Sequence, residues 1–322
     1  MFEGVILMEE KISVLIPTMN RPDTLKKTLD GYMVGTVIPS QIVVVDQSQD
    51  VVVANEVETL VKGYQEKTEI VYIFQKIPSL TKARNTAMRY SKHEIIICSD
   101  DDVDVYSNTL EKIVEIMQNE KIAMIAGIDD NASKSKSNIG YLLGTKSFKN
   151  RKIGHVTMSM LGRYPDKIVG QIPTQWAMGY FFVIRKSLMN QWDISWDENL
   201  VSYAYAGDLD FSFSYYKKAK EEGYQSVLDE RVRVKHLVSK EYRIPSKKST
   251  YMYVINRAYL SYKHKMGIKS QIAMNWCNFW RLLERMLKKE NPRDFLDAKK
   301  ICKKLQKNNF LEISNYLDGR ML

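Results

Sequence analysis

The densest group of chemically capable side chains in this 322-residue chain is Ser99-Asp100-Asp101-Asp102-Val103-Asp104. It follows directly on the apolar run Glu94-Ile-Ile-Ile-Cys98. Carboxylates crowded at one point repel each other. A divalent cation removes that cost, because hard cations prefer oxygen ligands. If the extended chain runs on, Asp100 and Asp102 point to one side and Asp101 to the other. The competing reading is a solvated acidic turn that caps the next helix. An EF-hand register also exists, with Asp100, Asp102, Asp104 and Glu111 at its ligand positions. Against it, Val105 stands where that loop needs glycine, and the preceding run is a strand rather than a helix.

Further candidates sit at the ends of other apolar runs. Asp46 closes Ile42-Val-Val-Val, where a carboxylate accepts hydrogen bonds from a ribose or base edge, or else caps a turn. Lys82, Arg84 and Asn85 follow Ser79-Leu80 at an expected helix start, where basic groups and free N–H groups would meet a phosphate together. Their other reading is a solvated helical face. Pro17-Thr18-Met19-Asn20-Arg21-Pro22 contains no G-x-G-x-x-G and no Walker A sequence, which excludes the usual dinucleotide and P-loop signatures.

The elements that must position these residues are legible as alternating patterns. Apolar runs at 12–16, 42–46, 70–74, 94–98 and 122–126 read as buried strands, and 23–34, 56–64, 80–90 and 108–117 read as helices. Continuous apolar strands alternating with helices imply an α/β fold with a mainly parallel sheet covered on both faces. Ligands of such sheets bind beyond the carboxyl ends of the strands. Residues 129–152 read as a polar loop, about 155–238 as mixed strands and helices, and the chain from about 245 as basic helix.

Charge separates the same regions. Residues 240–322 hold 19 Lys/Arg against 7 Asp/Glu, a net of +12, whereas residues 1–239 hold 29 against 31, a net of −2. Such asymmetry points to an anionic surface, membrane or nucleic acid. Helix-turn-helix, zinc and RNP signatures are absent, which argues against nucleic acid. Cys98, Cys277 and Cys302 lack CxxC spacing and read as reduced thiols. With no signal peptide pattern and no uncharged spanning stretch, the expected location is cytoplasmic.

Taken in order, these pieces resemble glycosyltransferase family 2, with the GT-A fold. Ile-Ser-Val-Leu-Ile-Pro-Thr-Met-Asn-Arg is similar to that family's opening strand and nucleotide-contacting loop, which implies donor contacts from Pro17, Thr18, Asn20 and Arg21. Val-Val-Val-Asp-Gln-Ser resembles its V-V-D-D-G-S strand, with Gln47 in place of the second acid, and Ala83-Arg84-Asn85 resembles its A-R-N segment. Cys-Ser-Asp-Asp-Asp-Val is similar to its DxD stretch. That likeness implies a metal at Asp100 and Asp102 and diphosphate contacts from Asp100 and Asp101.

The resemblance continues to about residue 238. Met178-Gly179-Tyr180 is similar to a glycine-bearing segment of the active site, and Trp196-Asp197-Glu198 to the F-D-E triplet. Gly207-Asp208-Leu209-Asp210-Phe211-Ser212 resembles G-E-D-x-D-[LF]-S, with glycine where the first acid is usual. Asp208 then falls on the general base, with a helix N-cap as its alternative and Asp210 as the next acid. His236 resembles the late histidine that contacts metal or diphosphate.

The resemblance implies an inverting, metal-dependent transferase. It would use Mn2+ or Mg2+ and a UDP- or dTDP-type sugar donor, with a glycan or lipid-linked acceptor in surface polysaccharide or glycoconjugate synthesis. It divides the chain into a donor half (1–128), an acceptor half (129–240) and a basic helical extension (241–322). A sugar-phosphate nucleotidyltransferase is the competing enzyme class, and it would be expected to carry a Gly-rich basic loop after the first strand. A non-catalytic nucleotide-sugar-binding protein is the third reading. In the extension, Ile272, Trp276, Phe279, Trp280, Leu283, Met286 and Leu287 share one helical face flanked by basic residues. That face either lies on an anionic membrane as an interfacial helix, placing the enzyme on the inner face of the plasma membrane, or packs on the catalytic part. Asp294–Lys307 reads as a solvated basic helix.

Overall fold

A computed structural model describes residues 11–132, 152–238, 246–289 and 291–317. Most of the expected loop at 129–152 lies outside the described residues.

The first half follows the sequence pattern closely. Strand β1 (Ile12–Thr18) leads into helix α1 (Pro22–Met33), which starts with proline in its first turn and buries Leu25, Leu29 and Tyr32. Then come β2 (Gln41–Asp46), α2 (Val51–Lys62), β3 (Glu69–Phe74) and α3 (Leu80–Tyr90). Helix α2 begins five residues earlier than the sequence suggests. Its cap is Asp50, whose side chain accepts from Val52 N at 2.8 Å, and the Val-Val-Val that follows disguises the start as a strand. Next are β4 (Ile95–Ser99), β5 (Val103–Val105), α4 (Thr109–Met117) and β6 (Ile122–Asp129).

Two short strands, β7 (His155–Val156) and β8 (Gly162–Arg163), pair with each other. They precede β9 (Gln171–Pro173), β10 (Phe181–Arg185), α5 (Lys186–Gln191), α6 (Gly207–Glu221) and β11 (Gln225–His236). The helical extension is α7 (Ser246–Lys263), α8 (Gly267–Leu287), α9 (Arg293–Lys307) and α10 (Ile313–Leu317).

The main sheet runs β3-β2-β1-β4-β10-β6-β11-β5, with β9 paired to β11. Strands β3, β2, β1 and β4 are parallel, as the buried apolar runs require. Strand β10 enters antiparallel between β4 and β6. Its run Phe-Phe-Val-Ile is buried along its length, so it suits an interior position. Successive residues of β1 serve opposite faces: Val14 and Ile16 join the core under α1, α2 and α4, while Leu15 joins the core under α3 and α6.

The extension has its own apolar core, built from Met252, Ile255, Phe295 and Leu305 among others. It is also fastened to the sheet domain. Leu260 packs with Trp176, Leu200 and Leu209, and buried Asp210 accepts from Lys263 at 2.7 Å and His264 at 2.9 Å. Lys217 donates to His264 Nδ1 at 2.8 Å, so Nε2 carries the proton given to Asp210. Asp210 is thereby consumed in joining α6 to α7.

One expectation for the extension is corrected. Helix α9 is not fully solvated: it buries Phe295, Ala298, Cys302 and Leu305 against its neighbours and exposes only its lysine face. Of the two readings left open for the aromatic face of α8, packing holds only in part among the described residues, where Trp280 and Leu283 are half-buried. Met274 and Cys277 are buried, whereas Ile268, Ile272, Trp276 and Phe279 stay exposed, Trp276 at 49% and Phe279 at 53%. Among the described residues no helix is long and apolar enough to cross a membrane. All three cysteines are free and buried.

Candidate active site

The acidic run does not continue as an extended strand. Asp101 and Asp102 form a tight turn between β4 and β5, and β5 pairs back onto β11. No EF-hand helix precedes it. The turn sends Asp101 inward. That carboxylate is fully buried, accepts from Thr18 Oγ1 at 2.6 Å and pairs with Arg21 at 2.6 Å. Burial pushes its pKa up to about 7 although Arg21 and Thr18 oppose the rise. Asp101 therefore faces away from any donor. It holds Thr18 and Arg21 in place instead of contacting the diphosphate as expected.

Asp100 and Asp102 emerge on the other side and converge with His236, their ligand atoms lying within 4.8 Å of one another. Strand β11 supplies the third member. It carries an irregularity between Leu228 and Arg233, then pairs His236 with Val103, and Leu237 N donates to Asp102 O at 2.8 Å. His236 Nε2 lies 3.1 Å from Asp102 Oδ1. Burial draws the imidazole pKa down, but the hydrogen bond and charge of Asp102 outweigh it, and the net shift is upward. Two carboxylate oxygens and one imidazole nitrogen suit Mn2+ or Mg2+. Their convergence at one point fits such an ion, since the aspartates otherwise repel each other.

A cleft of about 790 Å³ opens in front of this cluster. Of the sequence-derived candidates, Pro17, Thr18, Arg21, Asp100, Asp102 and His236 line it. The others stand behind the lining. Asp46 is fully buried and accepts from Ser48 and Tyr72, so the turn-cap reading describes it and no ribose contact is open to it. Asn20, with φ of 57°, accepts from Gln49 N at its side-chain oxygen and donates its own N–H to Ser48 Oγ, and so ties the first two strand-end loops together. Lys82 is exposed away from the cleft, as on a solvated helical face. Asn85 clasps Trp196 through both backbone groups and reaches Glu198. Arg84 is committed to Asp100 Oδ1 and Gly179 O, both at 2.9 Å, and lies 4.4 Å from the centre of the Trp196 ring.

The antiparallel entry of β10 connects Asp208 to the acidic turn. Its lead-in lies beside the carboxyl end of β4, where Asp100 N donates to Tyr180 O at 2.9 Å. Gly179 N in turn donates to Asp208 Oδ2 at 2.9 Å. Asp208 lies in the first turn of α6, facing Gly179, while Asp210, two positions on, faces α7. Asp208 does not line the cleft; Tyr203 does, and its hydroxyl lies near Asp100, Asp208 and Arg84. Tyr203 belongs to a stretch in which Ser202, Ala204 and Ala206 all have positive φ, costly for residues other than glycine. A side chain at Gly207 would meet Ala204, Thr81 and Leu200, so the position usually occupied by glutamate is an apolar pocket here.

Sequence reading missed several cleft residues. Gln47 accepts from Ser79 N at 2.6 Å and so joins the end of β2 to the start of α3. Tyr203, Tyr205 and Tyr253 form a wall with no local sequence signal, because loop geometry and the extension bring them there.

The sequence model described as "Glycosyl transferase family 2" matches residues 13–193. The curated proteins contain no match to the chain. Among solved structures it is similar to the mannosyltransferase PcManGT from Pyrobaculum calidifontis in complex with GDP-Man and Mn2+. There the identity is 14% and the TM-score 0.53, over 95% of this chain and 84% of that one. It is also similar to TarS from S. aureus, at 17% identity and TM-score 0.51 over 83% and 43% of the two chains. The TarS 1–349 form in complex with UDP-GlcNAc gives 15% identity and TM-score 0.50, over 89% and 79%.

Gly179 is the tightest joint in this arrangement. A Cβ there would lie 3.0 Å from Arg84 Nη2 and 3.1 Å from Asp208 Cβ. Gly179→Ala is expected to displace one of the two and to lower turnover about tenfold or more. Its melting temperature should stay within a few degrees of wild type. A variant that turns over at the wild-type rate would show that the Asp208–Gly179–Arg84 spacing is not used.

Proposed function

The chain belongs to glycosyl transferase family 2, is a glycosyltransferase with the GT-A fold, and from that premise we propose a metal-dependent, inverting transfer from a nucleoside diphosphate sugar to an acceptor hydroxyl. The observation that carries this reading is the convergence of Asp100, Asp102 and His236 in the lining of the cleft. These three would hold Mn2+ or Mg2+, and a bound ion there supplies charge neutralisation for the donor diphosphate and its leaving group. PcManGT with GDP-Man and Mn2+ and TarS with UDP-GlcNAc support a sugar-nucleotide donor. The donor proposed is of UDP or dTDP type, in the service of surface polysaccharide or glycoconjugate synthesis. Stabilisation by GDP-sugars alone would contradict the choice of base.

Within the site, Thr18 and Arg21 line the donor side, held by Asp101. Asp208, half-buried beside Tyr203 at the edge of the cleft lining, takes the proton from the acceptor hydroxyl in this reading. Gly179 N fixes its Oδ2, and Oδ1 has no hydrogen bond among the described residues. One carboxylate is enough for inversion, because no glycosyl–enzyme intermediate forms. The backbone N–H of Gly179 provides the orientation, with no glutamate at position 207. The donor half, acceptor half and extension proposed are 1–128, 129–240 and 241–322.

The exposed face of α8 supports a second element, docking on the cytoplasmic face of an anionic membrane. Ile268, Ile272, Trp276 and Phe279 recur at helical spacing on a segment of net charge +12. Basic residues near an anionic leaflet contribute about 1 kcal/mol each, and inserted aromatic rings add a salt-resistant part.

Asp208→Asn is expected to bind donor as wild type does and to lose roughly two orders of magnitude in transfer. Near wild-type transfer would place the base elsewhere, though not at Asp210, which is spent on Lys263 and His264.

The full chain is expected to sediment with anionic vesicles and to be released only in part by high salt. Replacing Trp276 and Phe279 by serine should abolish the salt-resistant fraction. A wild-type protein that ignores anionic vesicles at low salt would refute the docking.

A further inference from the structure

The part of the cleft lining contributed by α8 carries three cations, Arg281, Arg285 and Lys288, and one acid, Glu284. Arg281 and Lys288 share one acid, Glu284, each at 2.8 Å, and Arg285 donates to Thr250 Oγ1 at 2.7 Å. Behind them stand Tyr205 and Tyr253, whose ring centres are 5.6 Å apart.

Two more guanidinium groups lie beneath these rings. Arg257 is 1% exposed, its Cζ 4.4 Å from the centre of the Tyr253 ring. It donates to Ser159 O and Asn278 Oδ1, yet Nη2 is buried without a partner. Arg163 lies beside it, next to Tyr205 and Tyr253, and donates to Gly162 O; its Nε is likewise buried without a partner. Neither arginine has a carboxylate within ion-pair distance among the described residues. A buried guanidinium with no counter-charge is costly. Here two are retained close enough to feel each other's charge, and the nearby acid Glu284 is already shared by two other cations. Neither buried arginine lines the cleft itself, so an oxyanion on the wall would offset their charge from across the tyrosine rings, while the planar forks of Arg281 and Arg285 on the wall would bind phosphate oxygens in pairs.

We propose that the α7–α8 wall of the cleft is an anion subsite for a phosphate or phosphodiester group carried by the acceptor. This deepens the glycosyltransferase reading and rests on it for the word acceptor, since the donor diphosphate is placed across the cleft beside Asp100 and Asp102. The subsite holds the acceptor's charged group while its hydroxyl is presented toward Asp208.

The test is calorimetric titration of the full chain with glycerophosphoglycerol, a soluble phosphodiester, in chelator so that no metal bridges a phosphate to the aspartates. Saturable binding is expected. Arg281→Ala and Arg257→Gln should each weaken it tenfold or more, while Lys300→Ala, on the exposed face of α9, should leave it unchanged. If Arg257→Gln does not fold, the exposed Arg281→Ala decides alone. Absence of binding, or equal binding by the variants, would overturn the subsite. So would binding to phosphatidylglycerol vesicles without binding to the soluble diester, because the charge would then be serving a lipid surface. Displacement of the diester by a nucleoside diphosphate in chelator would assign the wall to the donor and overturn the acceptor claim. Stabilisation of wild type by nucleotide sugars with Mn2+ is read separately. Its absence would sink the glycosyltransferase site and leave the anion result standing.

Discussion

Three consecutive carboxylates just past the end of one strand repel each other, and their compensation comes from three other parts of the fold, with Arg21 shared between Asp101 and Asp102. Asp101 turns inward to Thr18 and Arg21 at the end of β1. Asp100 is met by Arg84 of α3. Asp102 is met by His236 at the far end of β11. The acidic turn is thus a knot joining the opening strand, the third helix and the last strand of the sheet. The buried member fixes the loop that lines the donor side, and the two outward members remain for a cation. A fold that placed β11 elsewhere would take His236 from Asp102 and leave it Arg21, at 3.7 Å, which is already paired with Asp101.

The second half of the site depends on a strand running the opposite way to its neighbours. Because β10 is antiparallel to β4, the residues before it, not after it, lie at the carboxyl edge of the sheet. Met178-Gly179-Tyr180 therefore meets Asp100, and Gly179 passes the contact on to Asp208 through a single N–H. The left-handed residues at 202, 204 and 206 lie just before α6, in the stretch that brings Tyr203 and Tyr205 to the cleft. Strain of this kind persists only where surrounding contacts over-determine the backbone. Here Ser202 O is tied to Leu80 N, and Leu200 O to Thr81 Oγ1.

Much of the parallel half was legible, since strands buried on both faces read as unbroken apolar runs and their ends mark where ligands meet the sheet. Side-chain direction was not legible. Lys82 and Arg84 lie two positions apart on one helix, so one points to solvent and the other into the site. Asp46 closes its strand and Asp101 lies in the turn just past one, yet Asp46 is turned inward by the hydroxyls of Ser48 and Tyr72, and Asp101 by Thr18 and Arg21 about eighty residues away, partners that spacing alone cannot reveal. The role of Asp210 was hidden for a similar reason, because its partners Lys263 and His264 come from a helix more than fifty residues away. The composition of the extension showed its charge, but not that α8 turns three of its cations into the cleft and its aromatic residues outward.

The central claim is that Asp100, Asp102 and His236 form one cation site on which donor binding depends. Electron paramagnetic resonance of Mn2+ titrated into the full chain with a saturating nucleotide sugar tests it most directly. The account requires one tightly held ion per chain in wild type and its loss in Asp102→Asn, with the circular dichroism spectrum unchanged. Equal Mn2+ occupancy in the two proteins would contradict it.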